Sequence, residues 1–181
     1  MLAFDLETTG LDPTKHSITC ACVCDPTRNF QRVFMFHLGD DPGEFMQLLD
    51  DADRLCAFNG AQFDIPFIER AFRVESKRVV AWRMKLHDVY EACRLALGVT
   101  FPLQDMLALN GMAGKTGSGA EAVRMAAEGR WDELKAYCLD DAVKTHLVSS
   151  LPRILLPCTR GMICMDPGGN FHVSACAIMP C

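Results

Sequence analysis

Along the first eleven residues, MLAFDLETTGL, apolar Leu2, Phe4 and Leu6 alternate with Ala3, Asp5 and Glu7. Period two predicts a strand with successive side chains on opposite faces, so Asp5 and Glu7 share one face. HSITCACVC and NFQRVFMFHL predict two more strands, separated by the turn sequence AspProThrArgAsn; three strands joined this closely form an antiparallel meander. DDPGEFMQLLDDA sets Phe45, Leu48 and Leu49 at helical spacing, with Pro42 near the first turn. RLCAF predicts a compact fourth strand. FDIPFIERAFRV predicts a helix with Phe63, Phe67, Ile68, Ala71 and Phe72 on its apolar side and Pro66 in its first turn. LHDVYEACRLALG reads as a fifth short strand running into a helix closed by Gly98, and FPLQDMLALNG as a further helical stretch. After the small-residue segment GKTGSG, Ser118 caps the helix AEAVRMAAEG, and the long helix DELKAYCLDDAVKTHLVSSL starts around Asp132 and ends by Pro152.

Beyond Pro157, GMICMDPGGNFHVSACAIM holds two short alternating segments about AspProGlyGlyAsn, a hairpin signal. There is no internal repeat and no linker long enough to divide the chain. The expectation is therefore one α/β domain over residues 1–156, followed by a Cys-containing tail over 157–181 that forms a β-hairpin packed on the same domain.

Composition narrows the class. A chain of 181 residues with 50% hydrophobic and 23% charged residues is globular and long enough to bury a core. No apolar run approaches the roughly 20 residues of a membrane helix. The acid-bearing first strand is no signal peptide, so an intracellular, soluble protein without a membrane partner is expected. Ten cysteines lack the regular spacing of a disulfide scaffold. Reduced thiols are expected, with Cys20, Cys22 and Cys24 filling one buried strand face as small hydrophobes.

The net charge of −5 runs against a nucleic-acid partner, yet four clustered carboxylates would account for most of it. Charge is also uneven. Arg70, Arg73, Lys77, Arg78, Arg83 and Lys85 face only Glu69 and Glu75 in their stretch. Such a run either tracks phosphates or lies on a solvated helix and loop.

Three groups of residues carry candidate chemistry. Asp5 and Glu7 on so apolar a strand repel each other and resist desolvation unless a cation lies between them, a divalent metal being the usual remedy; two solvated surface acids are the alternative. In FNGAQFDIPF, Asp64 opens a helix, where an acid also serves as a plain cap. Asn59 on the preceding turn can donate to a phosphate or sugar, and Phe63 offers a stacking face. In AYCLDDAVKTH, Tyr137 and Asp141 are four apart and stack on one helix face, while Asp140, three from Tyr137, competes by spacing.

Taken in order, FDLETTGL, FNxxxFDxPF and YCxxD resemble the three exonuclease motifs of the DEDD superfamily of 3'-to-5' exonucleases, from Met1 to about Leu151. The resemblance is to the tyrosine-bearing DEDDy branch, seen in proofreading domains of family B DNA polymerases and in small stand-alone nucleases. The histidine branch would place His where Ala136 stands. The resemblance implies a ribonuclease H-like fold, with a central mixed five-stranded sheet flanked by helices, here with a C-terminal hairpin extension. It implies the metal-binding carboxylates Asp5, Glu7, Asp64 and Asp141, selects Asp141 over Asp140, and gives Tyr137 the catalytic tyrosine position. Asp5, Glu7 and Asp141 would hold one of two divalent cations and Asp5 with Asp64 the other, hard oxygen ligands favouring Mg²⁺ or Mn²⁺. Thr8, Thr9 and Leu11 resemble positions that meet the terminal nucleotide, Asn59 and Phe63 would contact the strand, and Lys115 sits where relatives often carry a basic residue.

The implied activity is 3'-to-5' exonucleolytic hydrolysis of single-stranded nucleic acid, DNA favoured over RNA. With no polymerase following, the chain is expected to act alone or for a replication or repair protein. The competing reading is a catalytically silent nuclease-like module that binds nucleic acid or a protein; the intact carboxylates and tyrosine favour the enzyme. An endonuclease on the same fold stays open. A phosphate-binding loop at Lys115 fails on spacing, since Leu109 stands five before Gly114. Cys158, Cys164, His172, Cys176 and Cys181 match none of the tight zinc spacings.

Overall fold

The computed structural model describes residues 1–156, 163–165 and 171–173. Strands β1 (Leu2–Thr8), β2 (Ile18–Asp25), β3 (Phe30–Phe34), β4 (Leu55–Ala57) and β5 (Leu86–Asp88) form a mixed sheet in the order β3-β2-β1-β4-β5. The first three pair antiparallel, as the meander predicts, and β4 and β5 extend β1 in parallel. Parallel neighbours need crossovers. Helix α1 (Pro42–Asp51) leads into β4, and α2 (Asp64–Phe72) with α3 (Ser76–Met84) leads into β5. Helices α4 (Val89–Leu97), α5 (Leu103–Leu109), α6 (Gly119–Ala127) and α7 (Trp131–Ser149) follow. No helix among the described residues is long and apolar enough to cross a membrane.

The central strand is covered on both sides. Leu2, Phe4 and Leu6 enter a core with Phe34, Phe45, Leu49, Ile65, Phe67, Ile68 and Trp82. Each such aromatic or aliphatic side chain contributes about 1.5–3 kcal/mol on full burial. The opposite face is built of small residues: Ala3, Cys20, Cys22, Cys24 and Cys56 pack against Leu134, Tyr137, Cys138 and Ala142. Those cysteines are buried and free, and their modest volume lets α7 lie close on the sheet. The approach is close enough for the Cys22 thiol to donate to the Cys138 carbonyl at 3.2 Å, and for the Cys138 thiol to donate to the Asp5 carbonyl at 3.6 Å.

Two elements depart from the pattern reading. The strand expected through NFQRVFMFHL ends at Phe34. The Met35 amide donates to Asp40 Oδ2 at 2.7 Å, and Phe36–Leu38 coil into a 3₁₀ turn closed by Gly39 at φ 105°. Phe36 thereby leaves the sheet to pack against Phe45 and Phe72, a tertiary gain that overrides alternation. The other is α3, which the pattern did not single out because only Val79 and Trp82 of its nine residues are buried. Trp82 Nε1 donates to Asp50 Oδ1 at 2.7 Å and Arg78 pairs with the same carboxylate at 2.6 Å. Lys85 Nζ donates to the carbonyls of Asp50 and Ala52, satisfying the open end of α1. Part of the basic stretch is thus structural.

A second, antiparallel sheet joins β6 (Ile154–Leu156), β7 (Ile163–Met165) and β8 (Phe171–Val173). The two strands of the expected hairpin are therefore paired, and β6, which the sequence reading did not separate, extends them. Ile154 and Leu156 are buried with Val89, Phe101, Leu103, Met106 and Leu107. The turn AspProGlyGlyAsn, and Cys158, Cys176 and Cys181 of the tail, lie outside the described residues.

Candidate active site

Three segments far apart in sequence meet at one end of β1. The antiparallel register sets Asp5 opposite Cys22 and Glu7 opposite Cys20, then shifts between Glu7 and Thr8 as pairing ends. Such irregularities re-aim side chains at strand ends. Helix α7 lies over this face and brings Tyr137 and Asp141, one turn apart, alongside. Asp64 is the first residue of α2, directly after Phe63, which occupies the cap position.

A cavity of about 180 Å³ is lined by Asp5, Glu7, Thr8, Leu11, Phe63, Asp64, Lys115, Tyr137 and Asp141, together with Leu6, Gly10, Phe58, Gly119 and Val123. Nine of the eleven candidate residues from the sequence thus border one space. Leu11 does so while 83% exposed. Thr9 and Asn59 do not. The Thr9 hydroxyl accepts from the Ser17 amide at 3.0 Å and meets His16 at 3.3 Å, fastening the loop after β1. Asn59 adopts φ 66° and serves the turn after β4 through its backbone. Asp140 is occupied elsewhere, by Lys144 at 2.5 Å and the Thr116 hydroxyl at 3.1 Å.

The electrostatics are lopsided. Glu7, Asp64 and Asp141 are buried, and Asp5 is only partly open. Burial first, then repulsion from neighbouring carboxylates, pushes Asp5 up to about 8 and Glu7 up to about 10. Asp64 is raised by burial and by Asp5 and Asp88; Asp141 is raised by burial although Lys115 opposes this. Among the described residues, Lys115 is the one cation lining the cavity. Its Nζ stands 2.5 Å from Asp141 Oδ2 and 5.3 Å from the centre of the Tyr137 ring, and Asp141 holds it in the charged form.

The donor set fits a hard divalent cation. Asp64 Oδ1 and Asp141 Oδ1 are buried with no hydrogen-bond partner among the described residues, and one lysine cannot balance four carboxylates. Asp5, Glu7 and Cys138 also place ligand atoms within 4.8 Å of one another. Burial raises the Cys138 thiol well above its ordinary range, so it stays protonated and is a poor ligand beside oxygen donors.

Sequence reasoning missed the support behind Asp64. Asp88, buried at the end of β5, accepts from the amides of Asn59 at 3.0 Å, Ala61 at 2.9 Å and Glu91 at 3.1 Å, so it shapes the β4–α2 turn and caps α4 at once. The spacing AspValTyrGlu was a visible capping signal. Gly60 in that turn is equally constrained: a Cβ there would meet the Ala57 Cβ at 2.5 Å and Asp64 Oδ2 at 3.5 Å. Gly60→Ala is expected to cost about 1–3 kcal/mol, read as a lower denaturation midpoint with unchanged slope. An unshifted midpoint would show that the turn relaxes freely.

A mixed sheet flanked by helices, with a carboxylate-lined cavity at the end of its central strand, defines a ribonuclease H-like α/β protein. The RNase_H_2 family of the RNase H superfamily matches residues 2–110, more than half of the chain, and the chain belongs to that superfamily. No curated protein sequence matches it. Among solved structures it is similar to the family B DNA polymerase from the hyperthermophilic archaeon Pyrobaculum calidifontis, with 19% identity and a TM-score of 0.62 over 80% of this chain and 23% of the polymerase. It is also similar to Brucella melitensis NrnC with bound Mg²⁺, with 16% identity and a TM-score of 0.48 over 81% of this chain and 83% of that one. E. coli Exonuclease I in complex with a 5cy-dT13 oligonucleotide shares 13% identity and a TM-score of 0.42, over 91% of this chain and 50% of that one. The likeness to the polymerase bears on the fold, and the chain spans under a quarter of that protein's length.

Proposed function

We propose that this protein is a metal-dependent 3'-to-5' exonuclease of the DEDDy type acting on single-stranded nucleic acid, DNA in preference to RNA. The observation that carries the reading is the cavity itself, where Asp5, Glu7, Asp64 and Asp141 converge with Tyr137, two carboxylate oxygens being buried and unpartnered among the described residues. Asp5, Glu7 and Asp141 would hold one Mg²⁺ or Mn²⁺ and Asp5 with Asp64 a second, supplying when bound an activated water and neutralisation of charge on the departing oxygen.

In the reaction, a water oxygen bonds to the phosphorus of the terminal nucleotide and the bond to the preceding 3' oxygen breaks. That oxygen takes a proton, and a nucleoside 5'-monophosphate leaves. The Tyr137 hydroxyl, held between Lys115 and Asp141, orients the water. The charged Lys115 attracts the phosphate, while Leu11, Thr8 and Phe63 bound the space for the terminal nucleotide. Phe63 offers a face on which a base can stack.

The test is digestion of matched 5'-labelled single-stranded DNA, duplex DNA and RNA with Mg²⁺, Mn²⁺ or chelator, beside an Asp5→Ala/Glu7→Ala control. The expected result is a metal-dependent ladder shortening from the 3' end, fastest on single-stranded DNA and absent in the control. Intact binding without cleavage of any substrate would favour the silent module instead.

A further inference from the structure

The basic stretch of the sequence divides in the structure. Arg78 and Lys85 are engaged with Asp50 and the end of α1, and Lys77 pairs with Glu75. Arg28, Arg32, Arg94, Arg124 and Arg130 also each pair with a carboxylate. Arg70 and Arg73 are exposed and form no ion pair among the described residues. Arg83 and Arg153 are likewise exposed without an ion pair among the described residues, but only Arg70 and Arg73 stand one turn apart, which makes them a two-charge surface.

Their position follows from helix periodicity. Pro66 and Arg70 share one face of α2, with Phe63 at its N-terminal cap and Arg73 at its C-terminal cap along the same side. That side begins at a residue that lines the cavity and places the two guanidinium-bearing positions about 10 and 15 Å farther along the axis. A concavity of about 570 Å³ opens between Pro66, Glu69, Arg70 and Arg73. Arg73 itself ends the helix at φ 51°, the left-handed conformation ordinarily given to glycine or asparagine, at a cost of about 1–2 kcal/mol.

We propose that Arg70 and Arg73 form a phosphate track that holds the strand upstream of the cavity, so that this protein grips longer single-stranded polynucleotides more tightly than very short ones. This rests on the nuclease reading and adds a site to it. A strand whose 3' end enters the cavity leaves over Phe63 and lays its next few phosphates along the outer face of α2. The interactions are with backbone charge, so they carry no sequence preference and weaken with salt.

The experiment compares binding of fluorescein-labelled dT3 and dT12 by anisotropy across a salt series. The reference chain carries Asp64→Asn, to read binding without turnover, and the test chain adds Arg70→Gln/Arg73→Gly. With two phosphates left unneutralised, the salt slope for dT12 is expected to shrink by about 1.4 and affinity to fall about tenfold, while dT3 binding is unchanged. Thermal stability is expected to hold or rise, since glycine suits the left-handed position, which separates weakened binding from a damaged fold. An unchanged dT12 affinity, or an equal loss for dT3, overturns the track. If the unsubstituted protein cleaves dT3 and dT12 alike but gains no affinity with length, the track alone falls. If it neither binds nor cleaves either oligonucleotide, the nuclease reading falls as well.

Discussion

Glu7→Gln is expected to cut hydrolysis at least a thousandfold, a loss of about 4 kcal/mol of transition-state stabilisation, while making the metal-free protein more stable. The two effects have one cause. Glu7 is buried against Asp5 and Asp141, and the one lysine at the cavity is committed to Asp141 at 2.5 Å. Burial keeps Glu7 protonated near neutral pH against its ordinary value near 4, which costs several kcal/mol, and an amide of the same shape is neutral without that cost and opens no cavity. In chelator the melting temperature of the variant should therefore rise by several degrees, at about 2–4 °C per kcal/mol for a chain of this size. Saturating Mg²⁺ should reverse the order, because the unsubstituted protein gains binding free energy that the variant lacks. If the variant melts lower in chelator as well, the carboxylates are not held together against their mutual repulsion, and the metal-site reading loses its physical basis.

The second large effect is a pH dependence that metal abolishes. Asp5 and Glu7 titrate at about 8 and about 10 in the folded metal-free chain, against ordinary carboxylate values near 4 when unfolded. The folded state thus binds more protons, so the stability these groups contribute is present below about pH 4 and is lost as pH rises towards their folded values. Melting in chelator should be several degrees lower at pH 8.5 than at pH 5.5, the reverse of a protein held by carboxylate salt bridges. With Mg²⁺ the ionised carboxylates are the bound form, so the added stabilisation should be greatest at pH 8.5. Calorimetry at the two pH values, with and without metal, checks both signs; a higher melting temperature at pH 8.5 in chelator would contradict them.

Much of this architecture was legible because the relevant signals are local. Alternation about Asp5 and Glu7 fixed both the strand and the shared face, and the four-residue step from Tyr137 to Asp141 fixed their stacking. The cysteines at 20, 22 and 24 lie on the buried face that their alternation implies. What escaped notice depends on interactions made at a distance. Phe36 turns out of β3 for the sake of Phe45 and Phe72, and α3 is held through Trp82 and Arg78 to Asp50, which no periodicity in its own nine residues announces. Thr9 and Asn59 lie within their motifs, yet their local conformations direct them to loop and turn rather than to the cavity. Asp88 shows the reverse: its capping spacing was visible, but its support of the Asp64 turn exists only once β4 and β5 lie side by side.

The docking of α7 on the cysteine-lined face also governs when activity can arise during synthesis. Asp5 leaves the ribosome long before Tyr137 and Asp141, which ride on the helix that ends at Ser149. On the proposed mechanism, a nascent chain that has already paired β1 through β5 lacks one carboxylate, the tyrosine and the small-residue packing that sets them in place. Competence is therefore deferred until α7 closes on the sheet.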